Sequence, residues 1–419
     1  MPWHGVCYFV TFMSAALNDL KSLRAACAVQ SLGSTVQAAA VLRVAQSSIT
    51  RAIQALEAAC GHALFLRMGR GMHATQEGAL FLARAGRALG YLAVLGGPEG
   101  RTGVHALSWL LSRFATGLNL RHMQALMALG RTLSLAAAAQ ELGVGTSAVH
   151  QTLGHLEHLA GSALFVRSRR GLRLTDSGEL ALHAVKLAWA ELEQAEQHIS
   201  WRQGTLRGRL VIGTLPFSAG LLLPQAVEAV LSAHPGMAIS MVDGTYDALV
   251  QRLREAEIDV MLGALRPAAP AGLQQETLFE DRLAVVVRGG HPLAGRQRLA
   301  WADLAAADWI MPMPRTPAQA AFEQALDAAG LALPPSPLRV NSALMMQTLL
   351  AETDRLALMS PRQMQRELRA GWLVELPVPV THQPRPIGMV WRADYLPPPG
   401  AALLMAQFRD LGRRLREAG

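Results

Sequence analysis

LRHMQALMALGRTLSLAAAAQELGVGTSAVHQTLGHLEHLAGSALFVRSRRGLRLTDSG, residues 120–178, decides how this chain folds. Within it Leu142, Val144, Ser147, Val149, Leu153 and Leu156 keep an apolar or small face across the turn Gly143-Val144-Gly145. That spacing describes two short helices meeting at an angle, a helix-turn-helix. Gly161 to Arg167 then reads as a strand, Arg169-Arg170-Gly171 as a basic turn, and the residues after it as a second strand, which together make a wing.

Moving one hundred positions back finds the same pattern again, so that residues 20–78 lie on residues 120–178 without a gap. Leu20 falls on Leu120, Ser34 on Ser134, Ala38-Ala39 on Ala138-Ala139 and Leu42 on Leu142. Ser47, Leu56-Glu57, Gly61, Leu64-Phe65, Arg67, Arg70-Gly71, Thr75 and Gly78 likewise meet their counterparts. The chain therefore carries two winged helix-turn-helix units.

The order of Ala-Ala before the turn, Leu156-Glu157, Leu164-Phe165-x-Arg167 and Leu174-Thr175-x-x-Gly178 resembles the N-terminal domain of LysR-type transcriptional regulators. Most members of that family have one such unit, so the duplication is a departure. The resemblance implies double-stranded promoter DNA as the partner. In the first copy Gln46, Ser47, Ser48, Thr50 and Arg51 are polar groups able to reach base edges and phosphates, with Arg67 and Arg70 on the wing. In the second, Thr146, Ser147, His150 and Gln151 stand at the equivalent helix start without an arginine or lysine, while the wing holds Arg167, Arg169, Arg170 and Arg173. This division suggests more base reading by the first copy and more phosphate grip by the second. The alternative is that one copy only packs, since fold alone does not carry function.

Charge follows the same division. Of the formal net charge of +8 in 419 residues, +4 lies in residues 1–100, +3 in 101–205 and +1 in 206–419. A basic front half and a near-neutral back half suit a nucleic-acid module joined to a ligand or assembly module; scattered surface arginines are the plainer reading. A hydrophobic content of 51% excludes wholesale disorder. Cys7, Cys27 and Cys60 form no disulfide framework and show no metal spacing, in keeping with a reducing cytoplasm. The apolar run Gly5 to Leu17 has no preceding lysine or arginine and is too short to span a bilayer, so neither a secretory signal nor membrane association is expected. Met13 opens a segment resembling the usual family start, which makes residues 1–12 a candidate mis-assigned extension.

The domain boundaries read as an N-terminal extension (1–19), the first winged unit (20–95), a glycine-rich linker (96–117), the second winged unit (118–178), a linker helix (179–206) and an effector-binding domain (207–419). Residues 79–94 read as an apolar helix broken by Arg84 and Arg87. Leu110, Leu111 and Phe114 suggest that the linker is not wholly solvated. The helix from Glu179 to Gln203 corresponds, by the resemblance, to the helix through which partners dimerise; by spacing it is equally an ordinary surface helix.

From Arg207 short strands alternate with helices, the pattern of open α/β sheets. With the front half, this resembles the two-lobed, periplasmic-binding-protein-like effector domain of the same family. The fold class is thus α/β multidomain: two winged helix-turn-helix units plus two α/β lobes. In such lobes a ligand settles beyond the carboxyl ends of strands, where helix N-termini present N–H groups. Those ends hold Thr214, Leu215, Phe217, Ser218, Thr245, Gly263 and Leu265, then Arg315, Thr316, Asn341 and Ser342. For the hydroxyls, helix capping is the competing explanation. Arg315 is the strong cation of this group, suited to a carboxylate or phosphate if it points inward.

Neither a glycine-rich phosphate loop, a zinc-protease pair nor a Gly-x-Ser-x-Gly elbow appears, and the helical spacing of His150, His155 and His158 argues against a metal. The expectation is a cytoplasmic, non-enzymatic regulator without cofactor or metal. It would respond to a small polar effector of unknown identity and assemble as a homodimer or homotetramer, with RNA polymerase as a further candidate partner. A solute-binding or enzyme-like α/β protein with a helical assembly module is the alternative, and an architectural DNA-binding protein with an empty sensor is a third.

Overall fold

A computed structural model describes residues 19–69, 71–95, 107–169, 171–202, 204–215, 222–334, 338–380 and 384–417. They fall into two compact units. One runs to Arg209 and includes the short segments Gly236–Ala238 and Pro398–Gly400; the other holds the remainder.

The first unit begins with α1 (Leu20–Leu32), α2 (Thr35–Leu42), α3 (Gln46–Cys60), β1 (Phe65–Met68), β2 (Gly71–Ala74) and α4 (Gln76–Leu92). After a single 3-10 turn at Ser108–Leu111 come α5 (Arg113–Gly117), α6 (Leu120–Thr132), α7 (Leu135–Leu142), α8 (Thr146–Ala160), β3 (Phe165–Ser168), β4 (Gly171–Leu174) and α9 (Asp176–Arg202). Both expected wings are present as antiparallel two-stranded sheets.

The repeated motif has a local physical cause. Glu57 Oε1 accepts from the N–H groups of Leu64 (2.8 Å) and Phe65 (3.0 Å), and Glu157 Oε1 does the same for Leu164 (2.9 Å) and Phe165 (3.3 Å). Each carboxylate thereby fixes where the wing leaves its recognition helix. At the far end of the wing, Thr75 and Thr175 donate to the carbonyls of Ala63 and Ala163 and accept from the N–H groups of Gly78 and Gly178. Thr75 thus caps α4 while binding the wing's base. A Cβ on Gly78 or Gly178 would come 2.0 Å from the carbonyl oxygen of Leu64 or Leu164. Alanine at Gly178 is accordingly expected to push the second wing off its helix at a cost of about 1–3 kcal/mol. Chemical denaturation would record that loss, and DNA titration a lower affinity.

α4 is continuous through Arg84 and Arg87, contrary to the reading of a helix broken there. The arginines are tolerated because α9 supplies their partners. Arg84, itself buried, donates through Nη1 to Glu191 Oε2 (3.1 Å) and Gln194 Oε1 (2.7 Å), and Arg87 Nε donates to Glu191 Oε1 (2.8 Å). Burial and the Arg84 charge hold the neighbouring His198 down to about 4, so it stays neutral near pH 7.

The expected linker of 96–117 is only partly a linker. Residues 96–106 lie outside the described residues, but Trp109 and Phe114 are fully buried, and Ser112 donates to the carbonyl of Leu95. Arg24 Nη2, from α1, donates to the carbonyls of Ala115 (2.6 Å) and Leu118 (2.7 Å). One hydrophobic core consequently runs from Leu20 through both winged units to Ile199.

In the second unit the chain builds two sheets. The first lobe contains β5 (Gly208–Thr214), α10 (Leu223–Ala233), β6 (Met237–Asp243), α11 (Tyr246–Arg254), β7 (Val260–Ala264) and β8 (Leu273–Asp281). The second contains β9 (Ala284–Arg288), β10 (Trp309–Met311), α12 (Pro317–Ala328), β11 (Leu338–Arg339), α13 (Ala343–Glu352), β12 (Leu356–Met359), α14 (Gln365–Arg369) and β13 (Leu373–Glu375). β14 (Arg385–Arg392) returns to the first sheet and α15 (Pro399–Glu417) closes the chain. The strand orders are β6-β5-β7-β14-β8 and β11-β10-β12-β9-β13. β5 and β7 are parallel, as are β10 with β11 and β12, while β14 runs antiparallel to its neighbours. In the second lobe Trp301 stacks on Trp309 at 5.8 Å, and Phe322 meets both edge-on.

β8 is the element that the alternation of apolar residues does not reveal. Its run of Gln274, Gln275, Glu276 and Thr277 lacks a strand's usual composition, yet it pairs with β14 along its length. At the sheet edge Gln274 and Thr277 are exposed, Gln275 donates to the carbonyl of Arg266 (2.9 Å), and Glu276 is gripped by Arg409 at 2.8 Å. Among the described residues no helix is long and apolar enough to cross a membrane.

Candidate nucleic-acid interface and effector cleft

Each recognition helix starts where the chain turns sharply, at Arg43 (φ 54°) in the first unit and Gly143 (φ 66°) in the second. The following N-cap positions are Ala45 and Gly145, and no side chain closes over the first-turn N–H groups of α3 or α8. An uncapped helix start is open to an external acceptor such as a phosphate oxygen. The neighbouring helices α2 and α7 have serine caps instead, Ser34 and Ser134.

Gln46, Ser47, Ser48 and Arg51 are exposed on α3, with Thr50 half-buried behind them. Gln46 Nε2 donates to Thr35 Oγ1 (3.1 Å), Thr50 Oγ1 to the Gln46 carbonyl (3.3 Å), and Arg51 Nε to the Ser47 carbonyl (3.3 Å). The first helix therefore presents an ordered polar face. On α8, Thr146, Ser147, His150 and Gln151 are exposed in the same positions. Ile49, Ile53 and Leu56, like Val149, Leu153 and Leu156, point into the core. Arg67, Arg167, Arg169 and Arg173 project from the wings into solvent, while Arg70 and Arg170 lie outside the described residues. A notch of about 310 Å³ between α3 and the first wing is lined by Thr50, Gln54, Glu57, Arg67 and Met72.

In the effector region, Thr214 ends β5 almost wholly buried, and its hydroxyl donates to Asp243 Oδ1 at the end of β6. Leu215 is half-buried beside Gly263, whose Cβ, if present, would fall 2.6 Å from Leu215 Cδ1. Leu265 is buried. Thr245, Thr316 and Ser342 cap α11, α12 and α13 by accepting from the N–H groups of Ala248, Gln319 and Met345. Capping thus accounts for these three hydroxyls, and each also marks a helix start at a strand's carboxyl end. Asn341 is exposed next to Ser342. Phe217 and Ser218 lie outside the described residues.

Arg315 takes a left-handed conformation (φ 59°), and its side chain is 87% exposed. Its guanidinium lies 3.6 Å from Asp247 of α11, so this pair links the second lobe to the first. Tyr246 and Arg266 are absent from the residues expected on sequence grounds. The Arg266 guanidinium stands 4.5 Å from the Tyr246 ring centroid, and the Tyr246 hydroxyl is buried without a hydrogen-bond partner. Burial raises the Tyr246 pKa, which keeps the phenol protonated and able to donate. The position of Arg266 just beyond β7 was the available signal.

Two family models match the chain. One, for the bacterial regulatory helix-turn-helix protein of the lysR family, matches residues 20–79 and again 120–179; the other, for the LysR substrate binding domain, matches residues 203–413. The HTH-type transcriptional regulator GalR of Pseudomonas putida is 33% identical over 400 residues, covering 94% of this chain and 98% of that protein. The HTH-type transcriptional regulator PcaQ of Agrobacterium fabrum is 28% identical over 299 residues, covering 71% and 96%. Among solved structures, CbnR complexed with its target DNA superposes with a TM-score of 0.52 at 20% identity, covering 71% of this chain and 99% of that one. A full-length OxyR variant from Pseudomonas aeruginosa gives a TM-score of 0.53 at 19% identity, covering 70% and 95%. At those identities the likeness concerns the fold.

Proposed function

Since this chain belongs to the LysR family of ligand-responsive transcriptional regulators, we propose that its first winged unit reads bases, its second grips phosphates, and a small polar effector draws the two lobes together. The observation that carries the DNA reading is the pair of exposed recognition helices with uncapped starts, each beside an arginine-bearing wing. The polar face of α3 includes Arg51, suited to a base edge, whereas the described arginines of the second wing number three, Arg167, Arg169 and Arg173. The protein acts in the cytoplasm on promoter DNA, where RNA polymerase is the further partner.

The contrast is measurable by fluorescence anisotropy on duplexes from the intergenic region beside its own gene. Arg51→Ala should relax preference at one base position by about 1–3 kcal/mol, roughly 5- to 150-fold. The double variant Arg167→Ala/Arg173→Ala should weaken all sequences alike. It should also flatten the slope of log affinity against log salt by about 1.8, at ~0.9 for each phosphate no longer neutralised. Binding unchanged in both variants would refute this division of labour.

For the cleft, the candidate groups of the first lobe are Thr214 with Asp243, Tyr246 with Arg266, and Thr245, and those of the second are the helix starts at Thr316 and Ser342. A cation over a phenol with a spare hydroxyl suits a small oxygen-rich anion, and Arg315 is placed to meet its negative charge as the lobes close. An effector acts on DNA only through its preference for the closed arrangement. A thermal-shift screen of small organic acids and sugar acids should find a compound that raises the melting temperature of the wild-type protein. At one hundred times its dissociation constant it adds about 2.7 kcal/mol. The same compound should leave Thr214→Ala unmoved.

A further inference from the structure

Helices α4 and α9 hold equivalent places in the repeat, each following its own wing, and they pack directly on one another. Arg84 reaches Gln194 while Arg87 reaches Glu191, so the two helices run antiparallel. Continuing that register brings Leu89 to Trp189, both buried and separated by the repeat's own offset of one hundred. Equivalent residues meeting at the crossing of two antiparallel equivalent helices is the mark of a local two-fold relation.

The pairing is chemically specific to unlike helices. α4 supplies the cations Arg84 and Arg87, whose counterparts on α9 are Ala184 and Leu187; α9 supplies Glu191 and Gln194, whose counterparts are Tyr91 of α4 and Val94 just past its end. Two α9 helices from separate chains would bury Glu191 against Ala184 and Leu187, leaving a carboxylate without its cation. Two α4 helices would bury Arg84 without a carboxylate. Either mispairing carries the penalty of an uncompensated buried charge, which acts against the like-with-like arrangement.

We propose that a single chain is by itself a complete two-headed DNA clamp, with α3 and α8 entering two major-groove segments of one operator whose halves differ in sequence. The proposal rests on the DNA reading given above. A symmetric dimer imposes a palindrome because its two reading heads are identical. Here the heads are not: Gln46, Ser48 and Arg51 stand where the other unit has Thr146, Ala148 and Gln151. The operator is therefore asymmetric and has a direction, set by which unit lies toward the promoter.

The test uses the full-length protein on the intergenic duplex, with native mass spectrometry to count chains and hydroxyl-radical footprinting to count protected segments. Two protected segments per bound chain are expected. Missing-nucleoside footprints should then lose bases in one segment with Arg51→Ala and in the other with His150→Ala/Gln151→Ala. One segment per chain, or both variants affecting the same segment, would overturn the clamp while leaving a DNA-binding regulator. Absence of any salt-dependent footprint would instead remove the DNA reading on which it rests. Selection of binding sites from random duplexes offers an independent readout: unlike half-sites are expected, and an inverted repeat would count against the proposal.

Discussion

Glu191→Ala is expected to destabilise the N-terminal unit by about 3–5 kcal/mol, the cost of leaving a buried arginine without its carboxylate. Glu191 is buried and accepts from both Arg84 and Arg87. Of the two cations, Arg87 is part-exposed and can turn toward water; Arg84, 3% exposed at its side chain, cannot without opening the helix pair. Substituting both partners with apolar residues, as in Arg84→Met/Glu191→Met, should restore most of the loss, because the buried charge leaves together with its counter-charge. Urea denaturation of the three proteins would measure this directly. A loss confined to about 1 kcal/mol in the single variant would show the network to be solvated and of little structural weight. Since both winged units share one core, DNA affinity should fall with the stability of the pair rather than with the identity of either recognition helix.

An effect of similar size is expected in the effector domain from Asp281→Ala. Asp281 ends β8, the last residue of that strand before the chain passes from the first lobe to the second. Its Oδ2 accepts from Arg385 Nη2 (2.9 Å) and Nε (3.3 Å), and Arg385 opens β14 where the chain has come back. The other oxygen accepts from Ser360 Oγ at 2.8 Å, just after β12 of the second lobe. One carboxylate, 2% exposed, thus ties together both passages and the second lobe. Its removal leaves Arg385 largely buried and without this counter-charge, at about 3–5 kcal/mol. Asp281→Asn keeps the acceptor for Ser360 and should fall between wild type and alanine. Calorimetry should place both losses in the effector domain's transition, with the N-terminal transition unmoved. An unchanged transition in Asp281→Ala would show that the passages are held by their strand pairing alone.

How much of this was legible in the sequence depended on the distance over which each interaction acts. The Leu-Glu, Leu-Phe and Thr-x-x-Gly signals are spread over about twenty residues, and each has a partner within that span: Glu57 with the N–H of Leu64, Thr75 with Ala63 and Gly78. Both winged units could therefore be read at their correct positions, and the hundred-residue offset exposed the second from the first. The hydroxyls at Thr245, Thr316 and Ser342 were legible as helix starts for the same reason, because capping is local. Arg84 and Arg87 look like breaks in a helix because the groups that accommodate them lie more than one hundred residues away on α9. β8 escapes notice because its composition is that of a solvated edge, and only pairing with β14 makes it a strand.

The sequence by itself determined the family, the two helix-turn-helix units, the wings and the alternating lobes, since periodicity, turn chemistry and capping act between near neighbours along the chain. Tertiary structure alone decided that the two winged units share a core, that α4 packs on α9, and that the buried Asp281 ties both passages between the lobes. Those outcomes rest on charges that meet across long stretches of chain, and burial, which sets their energetic weight, exists only once the chain has folded.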